Sequence, residues 1–262
     1  MRDYSRFDCF KVQRDDKVAI LTINQPESHN AFGPKLHKQV EEIFLEVAHD
    51  DDVQAIVFTA AGKYFSVGGD IKTMQMEGLS NRIPPEEPIR LILNLLRINQ
   101  PIIAALNGNA IGVAATLALF CDIVVASEKA LIGDPHVNVG LVAGDGGCVI
   151  WPLLVGINRA KEMLLTGKLI NAQEAERIGL INHCVPPESV LPKALEIARS
   201  LANGPTKAIQ WTKMSLNQRL IEDVNSMLPA STAFEFLSMN MEDHREATRA
   251  FIEKRKPRFS GK

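Results

Sequence analysis

The sequence predicts an α/β protein: a largely parallel sheet covered by helices, with a helical segment appended at the C-terminus. Three observations lead there. β-Branched-rich runs alternate with helical periodicities as far as about residue 185. Beyond Pro187 only helical patterns remain. The chain has 262 residues, 46% of them hydrophobic, enough to bury a large core without disulfide or metal staples. There is no fixed-period repeat and no low-complexity segment.

The elements follow in order. Val18 to Ile23 is rich in β-branched residues and stops at the turn signal Asn24-Gln25-Pro26. Pro34 opens a helix in which Leu36, Val40, Ile43, Phe44 and Val47 recur at helical spacing. Gln54 to Ala60 reads as a buried strand, followed by the Gly-rich AGKYFSVGGD and a short helix over IKTMQME. Residues 77–88 carry Gly, Ser, Asn and three prolines and read as an exposed loop. Leu91 to Ile98 is helical, Ile102 to Leu106 is a strand, and the loop NGNAIG leads into the apolar helix VAATLALF. Asp122 to Ala126 and Ala130 to Ile132 are short strands. The segment GDPHVNVGLVAGDGG has five glycines, no period, and reads as a loop. Helical stretches then start at Cys148, Arg159 and Ala172, and run from Val190 to the end.

Composition excludes several function classes. Lys plus Arg is 29 against 31 Asp plus Glu, a net charge of -2, which argues against a nucleic-acid-binding domain. The most apolar stretch, Pro101 to Ala126, is interrupted by Asn107, Asn109 and Asp122 and does not suit a membrane span. The N-terminus MRDYSRFDCF has no apolar core and does not read as a signal peptide, so a cytoplasmic location is expected. Cys9, Cys121, Cys148 and Cys184 lack metal or redox spacing and are expected to be reduced.

Two Gly-rich turns each join a strand to a helix: Ser66-Val67-Gly68-Gly69-Asp70 and Asn107 to Gly112. Each can aim free backbone N–H groups at one point, and amides at Gly69 and Val113 would form an oxyanion hole. The alternative is two ordinary strand-to-helix turns. Neither matches a dinucleotide or P-loop fingerprint, so no cofactor is expected. His136 and Asp145 lie nine residues apart in one loop. A buried carboxylate can orient an imidazole and stabilise its protonated form, letting the histidine act on water. The alternatives are a helix N-cap for Asp145 and a carbonyl-bonded loop histidine for His136. His29, His37, His49, His183 and His244 lack ligand-type neighbours, so no metal site is expected, and His37 reads as part of a solvated face between Lys35 and Lys38. No Gly-x-Ser-x-Gly elbow occurs.

The stretches NQPESHNAF (24–32), YFSVGGDIK (64–72), NGNAIG with CDIVVASEKA (107–130) and RAKEMLLTGKLINAQEAERIGLINHCV (159–185) together resemble the enoyl-CoA hydratase/isomerase, or crotonase, superfamily. The resemblance implies a spiral of β-β-α turns, here residues 1–200, and a helical trimerisation region, residues 201–262. It implies a homotrimer or dimer of trimers, and enolate stabilisation at a CoA thioester by the amides of Gly69 and Val113. Coenzyme A would arrive with the substrate. Its contacts would fall around His29, Asn30, Ala31, Ser66, Gly68, Asp70 and Ile71, with Phe251 and Lys254 reaching CoA from a neighbouring subunit. His29 stands where many members carry Lys or Arg, and residues 73–90 are expected to shape the acyl pocket.

The family's hydratases use two glutamates, and those positions fall on Thr116 and His136. The resemblance therefore points to His136 with Asp145 in their place. The stretch DPHVNVGLVAGDGGCVIWPLLVGINRAKEMLLTG is similar to the His/Asp segment of the family's oxocamphor-type β-diketone hydrolases, including the nine-residue interval. Three expectations follow: acyl-CoA chemistry through an enolate, hydrolytic C–C cleavage of a β-diketone, or acyl-CoA binding without fast turnover. A further version makes Asp145 itself a nucleophile or proton shuttle.

Overall fold

A computed structural model describes residues 2–75, 84 and 86–262 of the chain. The expected loop over 77–88 and the pocket-shaping stretch 73–90 therefore fall partly outside the described residues.

Six strands form the main sheet: β1 (Phe10–Asp15), β2 (Val18–Ile23), β3 (Ala55–Ala60), β4 (Ile102–Leu106), β6 (Ile123–Ser127) and β9 (His183–Val185). They lie in the order β1-β2-β3-β4-β6-β9, and all pairings except β1 with β2 are parallel. A smaller sheet has the order β5-β7-β8, from β5 (Ala110–Ile111), β7 (Leu131–Gly133) and β8 (Ile170–Asn171).

The strands read as continuous apolar runs because both faces of the main sheet are covered. Side chains alternate between two cores. Leu21, Phe58, Ala104 and Val124 enter one, beneath α1 (Pro34–Ala48), α3 (Glu87–Arg97) and α4 (Val113–Leu119). Ile20, Val57, Ile103 and Val125 enter the other, beneath α8 (Val190–Ala202). Helix α8 offers Val190, Ala194, Ala198 and Ala202, a stripe at helical spacing whose small side chains let its axis approach the sheet. Where the sequence suggested a loop to residue 88, α3 already begins at Glu87. The short helix α2 (Ile71–Met74) is capped by Asp70, whose carboxylate accepts the Lys72 amide.

Helices α5 (Gly147–Val155), α6 (Ile157–Thr166) and α7 (Ala172–Arg177) lead to β9, and the chain ends in α8, α9 (Thr206–Met239) and α10 (Glu242–Ile252). Helix α9 has 34 residues and is about 50 Å long at the α-helical rise. Polar anchors fix it to α3 and to the segments just before β4 and β6. Lys213 Nζ donates to Gln100 O at 2.8 Å and pairs with Asp122 Oδ2 at 2.6 Å, and Asn217 donates to Leu96 O at 2.8 Å. Among the described residues, no helix is long and apolar enough to cross a membrane.

Candidate active site

The two Gly-rich turns meet. The Ser66 amide donates to Asn109 O at 2.9 Å, and the Ile111 amide returns to Ser66 O at 3.2 Å. On the other side, Phe32 donates to Gly68 O at 2.8 Å and Asp70 to Phe32 O at 3.1 Å, which turns the Gly69 amide away from this ladder. No acceptor among the described residues takes the amides of Gly69 or Val113. Val113 starts α4 with an ordinary negative φ because Gly112 before it takes φ +57°, a conformation an L side chain resists. A bulky residue at 113 is thus compatible with a free donor.

Gly112 also joins this region to His136: a Cβ there would lie 3.6 Å from His136 Cε1 and 3.9 Å from Gly68 Cα. His136 sits in a 3₁₀ turn after β7. Its Nδ1 bonds to Asp134 Oδ1, and its Nε2 lies 3.5 Å from Asp145 Oδ2 and 3.9 Å from Glu235 Oε1. The Thr116 hydroxyl donates to the other Asp145 oxygen at 3.4 Å. Asp134, Asp145 and Glu235 are all buried, and each keeps one carboxyl oxygen without a hydrogen bond. Such groups are costly in a core.

The electrostatics separate the roles. Burial opposes charge on His136, but the surrounding Asp134, Asp145 and Glu235 outweigh it, so the imidazole holds its proton well above the ordinary range. Burial raises the Asp145 carboxyl to about 6, with the His136 charge opposing and Asp134 adding. Burial raises Glu235 to about 8, with Asp145 adding and His136 opposing. The cluster therefore sets a protonated imidazole beside two carboxyls whose proton affinities burial raises. A protonated ring has no lone pair with which to accept a proton from water, whereas an ionised carboxylate has. The ligand-type atoms of Asp134, His136 and Asp145 lie within 4.8 Å of one another.

Asp145 faces both the start of α5 and His136. Gly146 is the N-cap of α5, and Asp145 stands one residue outside it, accepting the Gly147 amide as well as facing His136. His37 is not on a solvated face. It is half-buried with its ring edge-on to Phe32 at 5.3 Å, and burial lowers its imidazole to about 4.

The residues expected around CoA gather along one rim. Asn30 is fully buried and spends its side chain on Gln25, Ala61 and Tyr64. Ser66 is also buried, donating to Asn30 O at 2.7 Å and accepting the Gly68 amide at 3.1 Å. Asp70 accepts from the Thr73 hydroxyl at 2.7 Å as well as capping α2. These three side chains therefore shape the rim. Ala31 and Ile71 are half-buried, and His29 is exposed with its ring edge-on to Tyr64. Phe251, near the end of α10, and Lys254, just beyond it, are exposed.

Sequence reasoning missed Asp134 and Glu235. Glu235 reaches His136 from α9 because Gly144 lets that helix approach: a Cβ at 144 would collide with Ser231 O and would stand 2.6 Å from Glu235 Cβ. Thr232 then locks the contact, donating to Gly144 O at 2.9 Å.

Comparison with known proteins finds relatives along nearly the whole chain. The family model for enoyl-CoA hydratase/isomerase matches residues 13–262. A short-chain-enoyl-CoA hydratase of Clostridium acetobutylicum is 34% identical over 94% of this chain and 95% of its own. A crotonyl-CoA hydratase of Syntrophomonas wolfei is 34% identical over 96% of this chain and 97% of its own. The crystal structure of an enoyl-CoA hydratase/isomerase from Mycobacterium paratuberculosis superposes with a TM-score of 0.86 at 34% identity, covering 92% of this chain and 97% of that one. With the spiral of paired sheets and the helical C-terminal region, these matches establish that the chain belongs to the enoyl-CoA hydratase/isomerase family.

Proposed function

We propose that the enzyme adds water to the double bond of an enoyl-CoA thioester, with the His136/Asp145 pair and Glu235 in place of two glutamates. Asp145 takes a proton from water as the hydroxyl bonds to Cβ. The displaced electron pair moves onto the thioester oxygen, which the amides of Gly69 and Val113 hold as an enolate. Glu235 then gives its proton to Cα. The imidazolium, within 4 Å of both carboxyls, stabilises their negative charge and bridges the return of the proton from Asp145 to Glu235. The observation that carries this reading is that two buried carboxyls with separated proton affinities face one imidazole nitrogen. The hydratase names of the relatives agree with it.

One observation favours a second reading. Thr116 offers only a hydroxyl on the α4 side, where the family resemblance implies a carboxylate, so the carboxyls converge from the α5 loop and α9 alone. That one-sided arrangement also suits hydrolysis of a β-diketone. Asp145 would take one proton as water adds to one carbonyl, the tetrahedral oxyanion would sit in the same hole, and the C–C bond would break to give a carboxylic acid, which ionises by passing its proton to solvent, and an enolate that Glu235 protonates; the proton on Asp145 would then restore Glu235.

Incubation in heavy-oxygen water, separately with crotonyl-CoA and with a β-diketone panel, separates the two by mass spectrometry. A labelled hydroxyl on intact thioester supports hydration. A labelled carboxylate from a cleaved diketone, with crotonyl-CoA unchanged, replaces hydration by hydrolysis. Tight CoA binding with no product from either leaves only a binding role.

The outer face of α9 exposes Trp211, Leu216, Phe234 and Leu237, and α10 exposes Phe251. We assign this face to contacts between copies in a homotrimer or dimer of trimers, in which Phe251 and Lys254 would approach a neighbour's CoA. Light scattering on the purified chain tests it, and a monomer at micromolar concentration would refute it.

A further inference from the structure

We propose that Asp134 is a positioning residue of this centre: it anchors Nδ1 of His136 so that the ring stands as a fixed imidazolium with Nε2 turned to Asp145 and Glu235. The anchor is geometric. Asp134 directly follows β7, its side chain is wholly buried, and one oxygen bonds to His136 Nδ1. Its other oxygen has no hydrogen-bond partner and packs against Gly147. A buried carboxylate with a single partner is tolerated only when that partner carries the opposite charge.

The groups facing the ring point the same way. Asp134 approaches from the end of β7, Asp145 from before α5, and Glu235 from α9. The Cys148 thiol on α5 is raised to about 11, first by burial and then by these carboxylates, and so stays neutral. His244 on α10 donates to Val139 O at 2.7 Å, and burial followed by the His136 charge lowers its own imidazole. Three carboxyls therefore surround one cation, with no second cation among these groups to replace it. A neutral ring would compete with Asp145 for the water proton and would strip both remaining carboxyls of their stabilising charge.

Only the kinetic part of this inference rests on the proposed function. The direct test is a nitrogen-15 and carbon-13 NMR titration of histidine-labelled full-length enzyme, with His136 assigned through His136→Gln. Both ring nitrogens are expected to stay protonated from pH 6 to 9 in the wild type. Asp134→Asn is expected to lose at least tenfold in proton affinity at His136 and to titrate inside that range. In the pH profile of turnover, the variant is expected to move both limbs upward, because at Asp145 and Glu235 the lost imidazolium outweighs the lost Asp134 charge. A residue that merely supports the loop would lower the rate and leave the limbs in place. A neutral His136 in the wild type at pH 7, or an unchanged titration in Asp134→Asn, overturns the proposal. If the variant does not fold, the wild-type titration alone decides. An imidazolium seen in an enzyme that turns over neither thioester nor diketone would sink the functional reading and leave Asp134 in its role.

Discussion

Replacing Glu235 by Gln tests the buried acid through stability as well as rate. In the unfolded chain this carboxyl releases its proton near 4.5, and in the fold near 8, because burial and Asp145 penalise its anion. The folded state therefore binds more protons between those values. Its contribution to stability is fully present below pH 4.5 and is lost as pH rises to about 8. Each tenfold change in proton affinity is worth about 1.4 kcal/mol, so the wild type should lose about 4 kcal/mol relative to Glu235→Gln between pH 5 and 9. Denaturant unfolding of both proteins at pH 5, 7 and 9 measures this difference, and titrations common to both largely cancel. The variant should gain on the wild type steadily with pH while kcat falls roughly 10²–10⁴-fold from loss of the proton donor. Parallel stability curves would mean that Glu235 is already ionised in the fold, and the acid assignment would fail.

Three other expectations follow from the same geometry. Turnover should be bell-shaped in pH, rising with Asp145 near 6 and falling with Glu235 near 8, and Asp145→Asn should remove the acidic limb along with roughly 10²-fold or more of the rate. Gly112→Ala should cost about 1–3 kcal/mol of backbone strain at φ +57° and shift the Val113 amide, lowering kcat more than it raises KM, as initial rates will show. Lys213→Ala should leave the Asp122 carboxylate and Gln100 carbonyl short of a donor and lower unfolding free energy by about 3 kcal/mol, read from urea midpoints.

The central strands were legible because burial on both faces makes them apolar throughout. β1 was not: it is the edge strand, its Lys11, Gln13 and Arg14 dilute the apolar pattern, and only the hairpin register with β2 defines it. β5, β8 and β9 are two or three residues long and are fixed by partners distant in sequence, which local pattern does not encode. His136 and Asp145 were visible as neighbours within one loop. Asp134 was visible only as an acidic residue two positions before a histidine. Glu235 looks like any helical glutamate, yet one signal was present. It shares a helix face with Leu228, Ser231, Thr232 and Ser238, all buried, so an acid at that spacing falls on the packed side of α9 rather than on the solvent side.

In the proposed reaction the helical appendage takes part in the chemistry. Asp145 and His136 belong to the spiral, but Glu235, the proposed proton donor, arrives on α9, held against the loop by the bare backbone of Gly144, the Thr232 hydroxyl, and Ser238, which accepts the Val142 amide at 3.2 Å. None of these contacts belongs to the two sheet cores, which hold the strands together independently. Helix α9 also enters the larger core through Val224 and Leu228. Loosening it around Glu235 would carry that carboxyl further from His136 Nε2, 3.9 Å away. Anchors far along α9, at Lys213 and Asn217, secure the helix, whereas the Gly144 contact sets where the acid stands. Substitution of Lys213 should therefore lower stability and leave Glu235 in place, whereas a larger residue at 144 should displace Glu235.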